Sequence, residues 1–170
     1  MNITIRKGNP SDIDAFIRFL YQVHEDMPQK EWFYLDPPEV FRKMMNDGIM
    51  ELWFAEDGDT IAGAFDLLIP GLDACNYGYC LGFTQDELMK TINMDSEAVH
   101  PNYRGLGLQR KLLQAAEDWL RQRGEWTLLC TIHPDNCFSL NNAQKQGYVI
   151  RQKMDMYGSI RYLLEKRLEK

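Results

Sequence analysis

Ala98-Val99-His100-Pro101-Asn102-Tyr103-Arg104-Gly105-Leu106-Gly107-Leu108-Gln109 joins a strand-like run to a strongly amphipathic one through a loop with two glycines two positions apart. The strand ends at Val99-His100-Pro101. The helix is predicted over residues 105–123, where Leu108, Leu112, Leu113, Ala116, Trp119 and Leu120 fall on one stripe and Gly124 closes the run. Glycine lets a backbone approach a ligand closely, and the first turn of a helix presents unpaired N–H groups at the positive end of its dipole. Such a junction suits a phosphate or pyrophosphate, and Arg104 adds charge to it.

A glycine turn ahead of a helix is also an ordinary chain reversal, and other phosphate loops share the feature. A Walker loop needs Lys-Ser or Lys-Thr after its second glycine, where this chain has Leu108-Gln109. A Rossmann fingerprint needs a third glycine, whose place is taken by Arg110. Neither pattern fits.

Upstream, Ile3-Thr4-Ile5-Arg6 alternates as a short strand, and Asn9-Pro10-Ser11-Asp12 offers N-cap chemistry to a helix carrying Ile13, Phe16, Ile17, Leu20 and Val23. Met27-Pro28 ends it. A second helix begins at Asp36-Pro37-Pro38-Glu39, with Val40, Phe41 and Met44 as its apolar face and Gly48 as its stop. Residues 51–55 and 60–69 read as antiparallel strands turning at Asp57-Gly58-Asp59, and residues 89–99 as a further strand. Residues 70–86, rich in Gly, Tyr and Cys, carry no clear period. Downstream, residues 126–132 form an apolar run of the kind buried on both faces, residues 136–146 a helix stopped by Gly147, and residues 148–168 two strands turning near Tyr157-Gly158-Ser159. One α+β domain over residues 1–170 accounts for all of it.

Composition narrows the function classes. A chain of 170 residues with 45% hydrophobic and 26% charged residues is an ordinary globular composition. No run approaches the roughly 18 apolar residues of a membrane helix, and residues 1–6 lack the apolar core of a signal peptide. The expected compartment is the cytoplasm. A net charge of −6 repels nucleic acid and favours cationic partners. The basic residues Arg161, Lys166, Arg167 and Lys170 alternate with glutamates and read as a solvated face. Cys75, Cys80, Cys130 and Cys137 form no C-x-x-C pair and read as buried reduced thiols; His24, His100 and His133 are too scattered for a metal site.

The loop and its flanks resemble the GNAT superfamily of acyl-CoA N-acyltransferases. That family's pyrophosphate loop, Gln/Arg-x-x-Gly-x-Gly/Ala after Val-x-Pro, is matched by Asn102-Tyr103-Arg104-Gly105-Leu106-Gly107 after Val99-His100-Pro101, with Asn102 departing at the first position. About 30 residues on, its Asn-x-x-Ala/Ser and Gly-Phe/Tyr pattern is matched by Asn136, Ser139 and Gly147-Tyr148. Asn136, Ser139 and position 143 share one helical face, but position 143, a tyrosine general acid in most relatives, is Ala143.

The resemblance implies a GNAT fold: a single mixed, mostly antiparallel central sheet with a parallel, splayed strand pair and flanking helices. It implies acetyl-CoA as co-substrate, held by Val99, Asn102, Tyr103, Arg104, Gly105, Leu106, Gly107, Leu108, Gln109, Asn136 and Ser139, with no metal. The Val99 backbone N–H would polarise the thioester carbonyl. The acceptor would be a primary amine of a small molecule or peptide, cationic in solution, attacking directly in a ternary complex. Neutralising a lysine-like amine at pH 7 costs roughly 4–5 kcal/mol, which calls for a base. Asp95 and Glu97 share one strand face, an arrangement that also suits a solvent-facing or salt-bridged pair; Asp95 is the preferred base. Tyr157, near the final turn, is the candidate acid in place of Ala143. Glu25, Asp26, Glu31, Trp32, Tyr34 and Asp36 cluster where the family receives its acceptor, and acidic with aromatic groups suit an ammonium, though an ordinary acidic loop has the same composition. No nucleic-acid or membrane partner is expected, and a homodimer is compatible with the sequence. A non-catalytic acyl-CoA sensor, favoured by Ala143, is the alternative.

Overall fold

Alternation in the opening residues yields β1 (Ile3–Lys7), and the polar turn after it is a closed capping box: Asn9 accepts from Ser11 N at 3.0 Å while Asp12 accepts from Asn9 N at 2.9 Å. The computed structural model describes residues 2–170; Met1, at the head of the stretch read for a targeting signal, lies outside them. The remaining elements are α1 (Ile13–Glu25), α2 (Pro38–Asn46), β2 (Met50–Asp57), β3 (Thr60–Leu68), α3 (Gln85–Leu88), β4 (Thr91–Val99), α4 (Leu108–Arg121), β5 (Trp126–Ile132), α5 (Cys137–Lys145), β6 (Val149–Met156) and β7 (Ser159–Leu168). The strands form one seven-stranded sheet in the order β1-β2-β3-β4-β5-β7-β6, parallel at β4–β5 and antiparallel at β1–β2, β5–β7 and β6–β7. This is an α+β architecture with flanking helices, as the sequence implied.

The chain divides into two compact units, Met1–Leu67 with Ser96–Ala116, and Leu68–Asp95 with Glu117–Lys170. In the first, α1 buries Phe16, which meets Phe41 of α2 and Phe54 of β2 edge-on at 5.9 and 6.2 Å between ring centroids. Arg6 ties β1 to the helix entry and to β2 through Asp12 at 2.9 Å and Glu56 at 2.8 Å. Gly63 lets α4 sit against β3: a Cβ there would lie 3.2 Å from Leu112 Cδ1 and 3.3 Å from the Ala98 carbonyl oxygen. In the second unit, Leu128 and Leu129 point to opposite faces of β5 and are both fully buried. The β6–β7 turn is a two-residue one with positive φ at both positions, Tyr157 (57°) and Gly158 (74°), which matches the twist of a tight hairpin.

Several expectations are corrected. The long helix starts at Leu108, not residue 105, because Gly105 (φ 81°) and Gly107 (φ 69°) adopt left-handed backbone that no helix continues through. Trp119 is not part of its buried stripe; it is half-buried with the Arg123 guanidinium 3.8 Å over its ring. Asn136 is the cap of α5 rather than a helical residue. The four thiols are free but none is fully buried, and Cys137 is exposed. Residues 70–86 are ordered by a short 3-10 turn at Tyr77–Leu81 and a Thr84 capping box that starts α3.

The basic cluster is a solvated face only in part: Arg167 and Lys170 are exposed. Arg161 is buried, and Lys166 reaches buried Glu117 at 2.7 Å; Glu117 also accepts from Tyr148 Oη at 3.2 Å and pairs with Arg121 at 3.3 Å. Glu117 thus gathers three partners in a place where a lone charge would be costly. Glu117→Ala should lower unfolding free energy by about 3–5 kcal/mol, since it strands the Lys166 ammonium. Urea denaturation measures it, and a loss below about 1 kcal/mol would mean that the pairs contribute no more than exposed ones.

Candidate functional site

In the first unit the site is built from the end of β4, the loop and the start of α4. His100 N donates to the Ala62 carbonyl at 2.9 Å. Successive strand amides point to opposite sides, so the Val99 N–H is directed away from β3. The His100 ring then accepts from Asn102 N at 3.2 Å, and Tyr103 donates its hydroxyl to Asp57 at 3.3 Å, fixing a short 3-10 turn at Pro101–Tyr103. Arg104, Gly105, Leu106 and Gly107 are all exposed, and a Cβ at Gly105 would meet nothing within 4 Å. Glycine is needed there for conformation rather than for room. Leu108 is buried and anchors the helix, whose first turn presents its N–H groups beside the open loop. Such a loop fits a pyrophosphate.

Glu97 holds the side chain of Gln109, on the first turn of α4, by a hydrogen bond. Burial pushes the Glu97 carboxyl well above its ordinary value, and its Oε1 is buried without a hydrogen-bond partner. On the opposite face of β4, Ser96 N donates at 3.1 Å to Asp66 Oδ1, a fully buried side chain.

In the second unit a hydrogen-bonded set surrounds Tyr77. Its N–H donates to Asn93 Oδ1 at 3.2 Å, its hydroxyl donates to Asp95 Oδ1 at 2.9 Å, and the same hydroxyl lies 2.8 Å from that of Tyr157. Tyr77 is buried against Leu129 and Leu163, with Cys80, Leu81, Phe83, Met154 and Met156 around this cluster. Burial, then the charge of Asp95, pushes its phenol well above the usual range. Arg161 is close enough for both phenols to act on its charge. The sequence missed Tyr77, which stands in the aperiodic stretch, and misread Arg161; the one available signal was its i, i+2 alternation with buried Leu163.

Asn136 accepts from Ser139 N at 3.3 Å as the cap of α5. Ala143 is buried at 5% exposure and its carbonyl accepts from Tyr148 N at 3.1 Å, so it offers neither an acid nor room for one. Between α1 and α2, Glu25, Asp26, Glu31 and Tyr34 are exposed, while Trp32 and Asp36 are half-buried; burial raises the Asp36 carboxyl. Among the described residues no group of three or more His, Cys, Asp or Glu could hold a metal, and no helix is long and apolar enough to cross a membrane.

The model of the acetyltransferase (GNAT) family matches residues 17–148. Comparison with curated proteins by sequence finds no significant match. Among solved structures, the chain is similar to a GNAT-family acetyltransferase from Streptococcus pneumoniae (19% identity, 98% of this chain and 99% of that one covered, TM-score 0.71). It is similar also to the ribosomal-protein-S18-alanine N-acetyltransferase of Escherichia coli (15%, 99% and 96%, TM-score 0.73). A third is NAA60 of Arabidopsis thaliana, solved with acetyl-CoA (16%, 98% and 99%, TM-score 0.70). These likenesses extend to the fold, a GNAT sheet with its parallel β4–β5 pair. The chain belongs to the acetyltransferase (GNAT) family and is thereby an acyltransferase.

Two measurements check the site. Gly107→Glu should weaken binding of coenzyme A by well over tenfold in isothermal titration, because it adds a negative side chain and forces it into left-handed backbone; unchanged affinity would remove the loop from the binding site. Glu97 gives a pH signature. Its folded value is raised above the ordinary 4.5, so the folded chain binds the proton more tightly. Its stabilising contribution is complete below 4.5 and lost as pH rises through the folded value. Glu97→Gln should remove that decline, and denaturation curves of equal slope against pH for both proteins would contradict it.

Proposed function

We propose that this chain moves an acetyl group from acetyl-CoA to a primary amine of a small molecule or peptide, by direct attack within one ternary complex in the cytoplasm. The observation that carries this reading is the exposed Gly105-Leu106-Gly107 turn opening α4, immediately after a strand whose last amide, Val99 N–H, is directed away from β3. Residues 1–170 act as one GNAT domain in this reading.

Asn102, Tyr103, Arg104, Gly105, Leu106, Gly107, Leu108 and the backbone of Gln109 bind the pyrophosphate, chiefly through main-chain N–H groups and the Arg104 charge. Asn136 and Ser139, at the start of α5, serve the pantetheine arm. The Val99 N–H donates to the thioester oxygen and strengthens its hold as negative charge grows there. Acetyl-CoA supplies an activated acyl group on a thiol leaving group.

The acceptor arrives as an ammonium, and the acidic segment between α1 and α2 supplies the complementary charge. Asp95 is the base. Glu97 shares its face of β4 but is held toward the protonated form by burial, which makes it the poorer choice. No side-chain acid is required at Ala143, because a thiol with a pKa of about 8.5 can leave as the anion and take a proton from water. Tyr157, the acid suggested by its place in the chain, has its hydroxyl engaged with Tyr77.

Release of free thiol from acetyl-CoA, measured across a panel of peptide and small-molecule amines, tests the activity; no amine-dependent release from a protein that binds acetyl-CoA would overturn the reading. With the best amine of that panel, Asp95→Asn should lower kcat/KM by about 10²–10⁴-fold, with partial rescue at high pH. A rise in KM alone would make Asp95 an ammonium-binding group instead.

A further inference from the structure

Asp95 is only half-buried, and one of its oxygens is covered by the hydroxyl of Tyr77, whose ring packs against Leu129 and Leu163. Tyr77 Oη donates to Asp95 Oδ1 at 2.9 Å and stands 2.8 Å from Tyr157 Oη. An ionised carboxylate can only accept, so the single Tyr77 proton is committed to Asp95 and the Tyr157 proton must point to Tyr77. The chain of donors therefore runs in one direction, from Tyr157 through Tyr77 to Asp95. Its inner phenol is 7% exposed and its outer phenol 40% exposed. With its proton turned inward, the Tyr157 oxygen can only accept from a further partner, and an ammonium is such a donor.

The backbone adds a second observation. Tyr157 is the one non-glycine residue with positive φ among those described, at 57°. Left-handed backbone is disfavoured for an aromatic residue, and such positions recur where function fixes a side chain. The two neighbouring turn residues could be Asn-Gly at lower cost; here the turn carries a phenol into the relay.

We propose that Tyr157 and Tyr77 form a two-phenol relay that carries the acceptor's ammonium proton to Asp95, with Tyr157 as the residue that touches the amine. The inference deepens the assignment of Asp95 as base and rests on it. The step balances. The N–H bond breaks and an O–H bond forms at Tyr157; the former Tyr157 proton passes to Tyr77, and the former Tyr77 proton to Asp95 Oδ1. The amine is left neutral, Asp95 protonated, and both phenols restored. Buried Arg161, near both phenols, stabilises negative charge that develops on either oxygen in transit. Cys75 also lies near Asp95, but burial, with Asp73 and Asp95 adding to it, pushes its thiol up to about 12, so it stays neutral and outside the exchange.

The test uses the full chain, acetyl-CoA and the best amine of the panel. Tyr77→Phe and Tyr157→Phe should each lower kcat/KM by about ten- to a hundredfold, and the double variant should lose no more than the worse single, because one broken link breaks the relay. The loss should shrink as pH rises toward the amine's own pKa, while the KM for acetyl-CoA holds. If Asp95→Asn is as active as wild type, the base assignment fails and the relay with it. If Asp95→Asn is impaired while both phenylalanine variants match wild type, the relay alone is wrong. A pH-independent loss accompanied by a lowered Tm would make Tyr77 a packing residue and also overturns it. An independent arm needs no acceptor: the ring 13Cζ resonance of Tyr157 should follow the protonation of Asp95, and Tyr77→Phe should abolish that response. A flat Tyr157 resonance in the wild-type protein contradicts the relay.

Discussion

Parallel pairing between β4 and β5 joins Thr91 to Thr127, Ile92 to Leu128 and Asn93 to Leu129, and β4 then runs on through residues 94–99. β5 likewise continues past that pairing, through Ile132, where β7 holds it. Unused backbone donors are costly inside a protein unless something takes them. In the function proposed above, the Val99 amide is offered to the thioester oxygen of acetyl-CoA. The rest of the arrangement follows from how β4 is held at its two ends. At one end the Tyr77 segment lies along it through Asn93 and Asp95. At the other, the chain must leave the strand and enter α4 within a few residues, which only left-handed glycines permit.

The polar interior is the second constraint. Asp66, Glu117, Arg161 and Glu165 are all almost fully buried, an unusual cost for a sheet of this size. Each is set among partners rather than left in apolar surroundings. Glu165 takes Arg151 from the edge strand β6 and Arg167 from its own strand β7, and Glu117 takes Lys166 and Tyr148. Such pairs add little net stability but penalise any register in which a charge loses its partner. In β6, whose residues are nearly all exposed, the apolar pattern does little to fix register. The Arg151–Glu165 pair and the tight turn at Tyr157-Gly158 do it instead.

What the sequence disclosed and what it withheld divide along physical lines. Signals carried by single residues of special chemistry were readable: Gly105 and Gly107, the Asn9 turn, the Gly147 stop of α5, and the turn at Gly158. So was the long-period stripe of α4. Contacts between residues distant in sequence were not. Glu117 occupies a buried helical position because Tyr148, just ahead of β6, and Lys166 of β7 reach it from 31 and 49 positions on. Arg161 resembles any basic surface residue until its alternation with Leu163 is placed against Tyr77. Trp119 was assigned to the core by hydrophobicity, whereas Arg123 covers it at the surface. Tyr77 lies where no period exists, since a 3-10 turn gives too short a pattern to recognise.

The central claim is that the loop between β4 and α4 receives the pyrophosphate of acetyl-CoA while the Val99 amide faces its thioester. Backbone amide NMR during titration with acetyl-CoA reads both contacts at once. The account predicts large, saturable shifts and slowed hydrogen exchange at Val99, Gly105, Gly107, Leu108 and Gln109. Saturable binding that leaves these five amides unmoved would contradict it.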